Sequence, residues 1–162
     1  MINLIVAMDK NRGIGRNNRL LADIKPDLKY FKELTDGNVV VMGRKTYESL
    51  PIKPLPNREN IVLTRELVRY EGCKVAHSIK ELFGFLDDMK DRNIFIMGGG
   101  DIYKQLIYYA DRIYVTHIFH EFYCDTYFPE MGKEWDIVST TATRENLEHE
   151  YPHIFTIYER KK

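Results

Sequence analysis

The sequence predicts an α/β protein with one domain over residues 1–162: a mostly parallel central sheet, an antiparallel C-terminal strand pair, and helices on both faces. Short apolar runs, typical of strands buried on both faces, alternate with segments of helical spacing. This alternation favours parallel strands joined by right-handed crossovers. The last third has strand-like segments without helices between them, and this favours antiparallel pairing.

Apolar runs predict the strands of the parallel part of the sheet. A strand covered by helices on both faces is apolar at nearly every position. Each run falls well short of the ~18 apolar residues that a membrane span needs. The predicted strands are Ile2–Met8, Val39–Met42, Asn60–Leu63 and Ile94–Met97.

Helical spacing fills the intervals between these runs. Ser78 followed by Glu81 is typical of a capping box and predicts a helix start at Ser78. The apolar residues Ile79, Leu82 and Leu86 then recur at helical spacing. The predicted helices cover Asp27–Thr35, Arg44–Leu50, Ser78–Met89 and Asp101–Tyr109.

Strand-like segments in the last third of the chain predict the strands Arg112–His120, Ile137–Thr143 and Ile154–Tyr158. The simplest arrangement is an antiparallel pair added to the edge of the sheet. Two segments are long for connections in a compact domain: Asp9–Ile24, with two glycines, and Pro51–Arg58, with three prolines. Long ordered loops often carry function, so both are candidate binding segments.

Composition excludes several classes of protein. Hydrophobic residues make up 44% of the 162, and 24 basic residues balance 24 acidic ones, whereas a general nucleic-acid binder shows a basic excess. Met1–Met8 lacks the basic flank of a signal peptide. Cys73 and Cys124 have no metal-ligand spacing, and no zinc or hydrolase motif occurs. We expect a monomeric, cytoplasmic protein with free thiols, no metal, and no membrane or nucleic-acid partner.

Asp27 is the candidate catalytic residue because of its position on the predicted helix. At about 100° per residue, Ile24, Leu28, Phe31 and Thr35 form one stripe, and Asp27 lies at its border. A partly buried carboxylate that faces a pocket has a raised pKa or a cationic partner. The alternative is an acidic residue that only stabilises the helix N-terminus.

Two predicted strand-to-helix junctions carry glycine, at Gly43 and at Gly98–Gly100. Helix N-termini present free N–H groups, and glycine lets a phosphate approach the backbone. Arg44 and Arg65 follow strand ends, where arginine can hold a phosphate. Neither junction is a GxGxxG or Walker A motif, so the alternative is glycines that serve only the turns and arginines that serve only the surface. Together these features favour a dinucleotide across neighbouring strand ends.

Seven motifs, in a fixed order, span nearly the whole chain. They are Met1–Ala7, Gly15, Asp27-Leu28-x-x-Phe31-Lys32-x-x-Thr35, Met42-Gly43-Arg44-x-Thr46-x-Glu48-Ser49, Pro54-Leu55-Pro56-x-Arg58-x-Asn60, Gly98-Gly99-Gly100-x-x-Tyr103 and Asp125-Thr126-x-Phe128-Pro129. In order and interval they resemble those of dihydrofolate reductases. The resemblance implies NADPH-dependent reduction of 7,8-dihydrofolate to 5,6,7,8-tetrahydrofolate, which supplies one-carbon metabolism.

The resemblance also implies roles for individual residues. Asp27, with Thr116 behind it, would bind the amidine edge of the pterin and help to protonate N5, and Arg58 would bind the glutamate carboxylate of the substrate. Asp9–Ile24 would be a mobile loop over the nicotinamide, steadied by Asp125. Apolar walls around the substrate would come from Ile5, Ala7, Leu28, Phe31, Leu50, Leu55 and Met97. Cofactor contacts would come from Ala7, Ile14, Gly15, Leu20, Gly43, Arg44, Lys45, Thr46, Leu63, Thr64, Arg65, Gly98, Gly99, Gly100, Asp101, Ile102 and Tyr103, with Arg44, Thr64 and Arg65 near the 2′-phosphate and a cis bond between Gly98 and Gly99.

Three places depart from the family pattern, and one of them is the loop Pro51-Ile52-Lys53-Pro54, which is one residue longer than common. The family usually has Leu-Pro-Trp in the mobile loop, where this chain has Leu20-Leu21-Ala22. The indole that normally helps to hold a water near the carboxylate is therefore missing. Asp101 stands at a helix start near the expected phosphates, where a basic residue can occur, and its simpler role is to cap the helix.

Two rival hypotheses remain at this point. One is an NADPH reductase of another heterocycle, such as a pyrimidine intermediate of riboflavin synthesis, although Arg58 and the Asp27 helix suit the two ends of folate. The other is a relative that binds ligands with little turnover, which Ala22 keeps open. An assay with dihydrofolate and NADPH discriminates the first rival, and tight NADPH binding without turnover would favour the second.

Overall fold

Ten strands and five α-helices make up the computed structural model, which describes all 162 residues. A 3-10 turn at Ile107–Tyr109 follows the fourth helix. The helices are α1 (Lys25–Thr35), α2 (Arg44–Ser49), α3 (Ile79–Asp87), α4 (Gly100–Leu106) and α5 (Arg144–Glu148). The strands are β1 (Ile2–Met8), β2 (Gly13–Gly15), β3 (Val39–Gly43), β4 (Glu59–Leu63), β5 (Cys73–Ala76), β6 (Ile94–Ile96), β7 (Arg112–Ile118), β8 (Thr126–Tyr127), β9 (Trp135–Thr141) and β10 (His153–Arg160).

Eight of the strands form one sheet in the order β5-β4-β3-β6-β1-β7-β10-β9. Every pair from β5 to β7 is parallel, and β10 is antiparallel to both of its neighbours, β7 and β9. The predicted α/β fold, with its antiparallel C-terminal pair, is therefore confirmed. The carboxyl ends of β1, β3, β4 and β6 lie along one edge, where ligands bind in open α/β sheets.

Helices cover both faces of the sheet, as predicted. Along β1, Leu4 and Val6 point into a core shared with Leu82 of α3 and Leu106 of α4. On the opposite face, Ile5 joins a smaller cluster with α1 and α2. The alternation of the pleat thus places Ile5 on the side of Asp27. None of the helices is long and apolar enough to cross a membrane.

Several predicted boundaries were wrong by a few residues. Helix α1 begins at Lys25 rather than Asp27, because Pro26 suits the first turn of a helix. The predicted helix Asp101–Tyr109 begins at Gly100 and narrows to a 3-10 turn after Leu106. The predicted strands Arg112–His120, Ile137–Thr143 and Ile154–Tyr158 are Arg112–Ile118, Trp135–Thr141 and His153–Arg160 in the structure.

Caps were predicted at one helix and missed at another. The Ser78 hydroxyl accepts a 3.0 Å hydrogen bond from the Glu81 N–H, so the predicted start of α3 is confirmed, but only this half of the capping box is present. The complete capping box lies at α5, between Thr143 and Asn146. That helix was not predicted, because its few residues carry no apolar periodicity.

Candidate active site

Asp27 lies in the first turn of α1, and its side chain turns away from that helix toward the sheet. The Thr116 hydroxyl, on β7, donates a 2.6 Å hydrogen bond to Asp27 Oδ1. Burial raises the pKa of Asp27 above its ordinary value, and the hydrogen bond from Thr116 and the nearby His153 oppose that rise. Asp27 still belongs to the helix N-terminus, but its carboxylate is placed for chemistry at the sheet.

An apolar slot adjoins this carboxylate. Ala7 of β1 pairs directly with Thr116, so the upper end of β1 lies beside Asp27. Leu28, the next residue on α1, is 45% exposed, so its apolar side chain adds to the surface beside the carboxylate. The structure places five of the predicted wall residues in one apolar cluster: Ile5, Phe31, Leu50, Leu55 and Met97.

Arg58 lies at the outer end of the slot. Its Nε donates to the carbonyl of Pro56 at 2.9 Å, and Nη1 donates to the Thr35 hydroxyl at 3.1 Å. The guanidinium lies over the ring of Phe31, 5.9 Å from its centre. Burial lowers the pKa of Arg58 from its ordinary value, but the group stays cationic at neutral pH. The side chain is held in one orientation, as capture of a carboxylate requires.

Asn60 holds the segment that carries Leu55 and Arg58. Its side chain accepts from the Leu55 N–H and donates to the carbonyls of Leu55 and Arg58, all at 2.9–3.0 Å. Asn60 is buried at the start of β4. The sequence motif includes Asn60, but its role in holding this segment was missed, because its hydrogen-bond partners are backbone groups.

The two glycine junctions lie side by side at the edge of the sheet. The Gly43 N–H donates to the Gly98 carbonyl at 2.8 Å, so the starts of α2 and α4 are adjacent. A side chain at Gly99 would approach the Thr46 hydroxyl to 3.4 Å, and one at Gly43 would approach Ile102 to 3.0 Å. The Gly98–Gly99 bond is cis, as the resemblance implied. We call Gly43, Thr46 and Gly98–Gly100 the glycine cradle.

Arg44 follows β3, and Thr64 and Arg65 follow β4, at the same edge of the sheet as the glycine cradle. Gly43 pairs with Leu63, so the residues that follow, Arg44 and Thr64, leave the sheet together. Arg44 forms an ion pair with Glu48 at 2.9 Å. His77 joins them, since its Nδ1 lies 3.1 Å from the Thr64 carbonyl. His77 was missed, because nothing in the sequence indicates that β5 lies next to β4.

The remaining predicted cofactor residues are split between core and surface. Leu63, Ile102 and Tyr103 are buried, and the Tyr103 hydroxyl donates to the carbonyl of Ile5 at 2.6 Å. Leu20 is 69% exposed. Lys45 and Asp101 are also exposed, at the starts of α2 and α4. Their roles toward a cofactor stay predictions.

The segment Asp9–Ile24, predicted as a loop, contains the short strand β2, which pairs with β8. Asp125 accepts a 3.0 Å hydrogen bond from the Asn17 N–H through Oδ2, and its own N–H donates to the Gly15 carbonyl at 3.0 Å. These two bonds place Asp125 where the resemblance put a residue that steadies the loop.

Fold and site together are typical of an α/β oxidoreductase: parallel strands end at two helix starts that carry glycine, beside an apolar slot with a partly buried carboxylate. The family model for dihydrofolate reductase matches residues 1–160. The chain belongs to the dihydrofolate reductase family.

Individual relatives agree with this assignment. The chain is 41% identical to the dihydrofolate reductase of Bacillus subtilis (strain 168), over 99% of this chain and 95% of that protein. It is 39% identical to the enzyme of Staphylococcus haemolyticus, over 98% of this chain and 95% of that protein. Among solved structures, the Enterococcus faecalis dihydrofolate reductase complexed with NADP(H) and RAB-propyl is 36% identical, with a TM-score of 0.90, and the match covers 100% of this chain and 97% of the other.

Proposed function

We propose that this chain reduces 7,8-dihydrofolate to 5,6,7,8-tetrahydrofolate with NADPH, and that Asp27 is its catalytic carboxylate. The observation that carries the proposal is the partly buried Asp27, bonded to Thr116 at the end of an apolar slot. Family membership argues against the rival reduction of a riboflavin intermediate.

The residues of the glycine cradle suit the binding of NADPH. At Gly43 and Gly99 a side chain would approach Ile102 and Thr46, so the glycines leave space beside the backbone there. Phosphates are held by such backbone N–H groups and by nearby arginine, here Arg44 and Arg65. The solved relative from Enterococcus faecalis is a complex with NADP(H), which supports the choice of NADPH.

The chain's own residues orient the substrate and handle one proton. NADPH, when bound, supplies the hydride. Asp27 Oδ1 is occupied by Thr116, so Oδ2 is available for the amidine edge of the pterin. Because burial raises the pKa of Asp27, this carboxyl keeps a proton at higher pH than a surface aspartate and can help to deliver it to N5. Arg58 binds the carboxylate at the far end of the substrate, and Leu28 and Phe31 exclude water between the two ends.

NADPH oxidation with dihydrofolate tests the proposal, with Asp27→Asn and Glu33→Gln as variants. We expect turnover in the parent and a loss of about 10²–10⁴-fold at neutral pH in Asp27→Asn, because general acid help is lost. Acid should restore part of the rate, since solvent then protonates the substrate. Glu33 is an exposed acid on the same helix, and its variant should match the parent.

Two outcomes would contradict this function. NADPH binding without turnover in the parent would favour the rival hypothesis, based on Ala22, that this protein binds ligands with little turnover. A parental rate in Asp27→Asn at neutral pH would remove Asp27 from the mechanism. We further propose that the protein acts as a cytoplasmic monomer that supplies one-carbon metabolism, with no nucleic-acid or membrane partner.

A further inference from the structure

Asp9 is a buried carboxylate outside the substrate slot. It is 4% exposed and takes part in none of the protein's ion pairs. Buried charges are costly unless several donors satisfy them. The groups that donate hydrogen bonds to Asp9 therefore stabilise its charge in this buried position.

Those donors come from two segments that are far apart in sequence. Oδ1 accepts from the N–H groups of Asn11 at 2.8 Å and Gly13 at 2.7 Å. Oδ2 accepts from the Phe122 N–H at 2.9 Å, and the Cys124 thiol lies 3.6 Å from it. One oxygen thus accepts from the segment that leads into β2 and from its first residue, and the other accepts from the segment before β8.

The protonation states agree with this arrangement. Burial raises the pKa of Asp9, but the hydrogen bonds from the N–H groups of Phe122, Gly13 and Asn11 together lower it by more. The pKa therefore lies below its ordinary value, and the carboxylate stays ionised. Burial and the nearby Asp9 raise the pKa of the Cys124 thiol to about 11, so the thiol keeps the proton with which it donates.

The cluster is tightly packed as well as hydrogen-bonded. A side chain at Gly13 would collide with Cys124 Sγ and would lie 3.0 Å from both oxygens of Asp9. Gly13 therefore allows β2 to lie directly against the carboxylate, and the position of β2 depends on Asp9.

Strand β2 in turn contacts the glycine cradle. Ile14 is buried, and its Cδ1 lies 3.7 Å from the place that a side chain at Gly100 would take. Gly15 accepts from the Asp125 N–H, and residues 16–23 then lead into α1 and Asp27. A shift of β2 would therefore move the covering loop relative to both the cradle and the carboxylate.

We propose that Asp9 is a positioning residue for the reduction: by accepting hydrogen bonds from both segments, it holds β2, and with it Ile14, against the glycine cradle so that residues 16–23 close over the bound cofactor. This inference rests on the proposed function. Asp9 touches neither substrate nor cofactor, and it acts through β2.

Asp9→Asn is the first test, because asparagine keeps the shape and replaces one acceptor by a donor. We expect single-turnover hydride transfer to fall by about 10- to 100-fold, the range that a small misplacement in an active site causes. NADPH should bind more weakly, measured by its fluorescence, while the KM for dihydrofolate stays within about twofold of the parent. Glu121→Ala is the matched control and should match the parent, since it removes only the exposed hydrogen bond from Asn11 between the same segments.

Gly13→Ala is the second test and leaves the carboxylate intact. Its methyl group should displace β2 from Cys124. As in Asp9→Asn, hydride transfer and NADPH affinity should fall while the KM for dihydrofolate stays near that of the parent. Adding Cys124→Ala removes the sulfur and should restore part of the hydride-transfer rate. A general loss of folding would not recover in this way.

Clear outcomes overturn the proposal. It is wrong if Asp9→Asn, folded by its melting curve, matches the parent in hydride transfer and NADPH affinity, or if substrate and cofactor affinity fall together. Should Asp9→Asn not fold, a Gly13→Ala variant with parental kinetics also overturns it. A parent without dihydrofolate turnover would instead refute the proposed function, because the role of Asp9 is judged only against an active parent.

Discussion

The Thr116 hydroxyl donates a 2.6 Å hydrogen bond to Oδ1 of Asp27 and so connects strand β7 with helix α1. Burial raises the pKa of Asp27 and this bond lowers it, and burial has the larger effect. One hydroxyl therefore influences both the direction in which the carboxylate points and the pH at which it holds its proton.

Thr116→Val keeps the shape of the side chain and removes the donor. The pKa of Asp27 should rise further, because the hydrogen bond that favours its ionised form is lost. Since the protonated form supplies the proton, the fall in hydride transfer with rising pH should move to higher pH. Single-turnover rates across pH measure this shift, with Thr140→Val on the exposed part of β9 as the control. An unmoved profile in Thr116→Val would show that the hydroxyl does not tune Asp27.

Asp27→Asn should stabilise the free protein at neutral pH while it costs activity. The pKa of Asp27 is higher in the folded state than its ordinary value of 3.8, so the folded state binds the proton more tightly than the unfolded state. Stability therefore falls as pH rises from about 3.8 through the raised pKa, and it stays lower above that range. Asparagine removes this loss, and each kcal/mol regained raises Tm by about 2–4 °C. Melting curves from pH 4 to 8 should diverge as pH rises; a parent that melts above the variant at pH 7 would contradict the argument.

Arg44 and Arg65 should set the preference for NADPH over NADH. Charge-assisted hydrogen bonds to the 2′-phosphate should contribute about 1.5–3 kcal/mol each, less where solvent screens them. The double variant Arg44→Ala, Arg65→Ala should lose most of the preference in kcat/KM, largely by weaker NADPH binding. Arg144→Ala removes an exposed arginine paired with Glu148 on α5 and should change nothing. Equal efficiency with both cofactors in the parent would refute this role.

Arg58→Leu should raise the KM for dihydrofolate more than the KM for a reduced pterin without the glutamate. Thr35 and Pro56 hold the guanidinium in one orientation, which favours bidentate capture of a carboxylate. The expected loss is about 10- to 100-fold, the effect of one charge-assisted bond or two. Arg58→Lys keeps the charge without the planar guanidinium, and its KM for dihydrofolate should lie between those of the parent and Arg58→Leu. Equal losses with both substrates would make Arg58 a structural residue.

The strands that the sequence predicted well are those buried on both faces. β1 is a nearly continuous apolar run and β3 is a continuous one, so their own residues predict that they are buried on both faces. β5 was missed because it has only four residues, lies at the sheet edge and is fully buried only at Ala76. β2 and β8 were missed because each is too short to show a pattern, and they exist only by pairing with each other.

The candidate site divides in the same way. Asp27 could be found from its helical phase, since its own helix carries the signal. The role of Asp9 could not, because its donors are mostly backbone N–H groups, and every residue but proline has one. Its partner Phe122 lies 113 positions away, and the two are brought together by the pairing of β1, which precedes Asp9, with β7, which precedes Phe122.

The place of β1 in the sheet has a consequence for biosynthesis. Ile2 pairs with Ile94, and Asn3 pairs with Arg112, so the ribosome makes this apolar strand long before either of its partners. Parallel strands with partners so distant in sequence form slowly. Unpaired apolar strands are also the parts of a growing chain that aggregate or recruit chaperones. The nascent chain, rather than the finished reductase, is therefore the form that depends most on cellular protection.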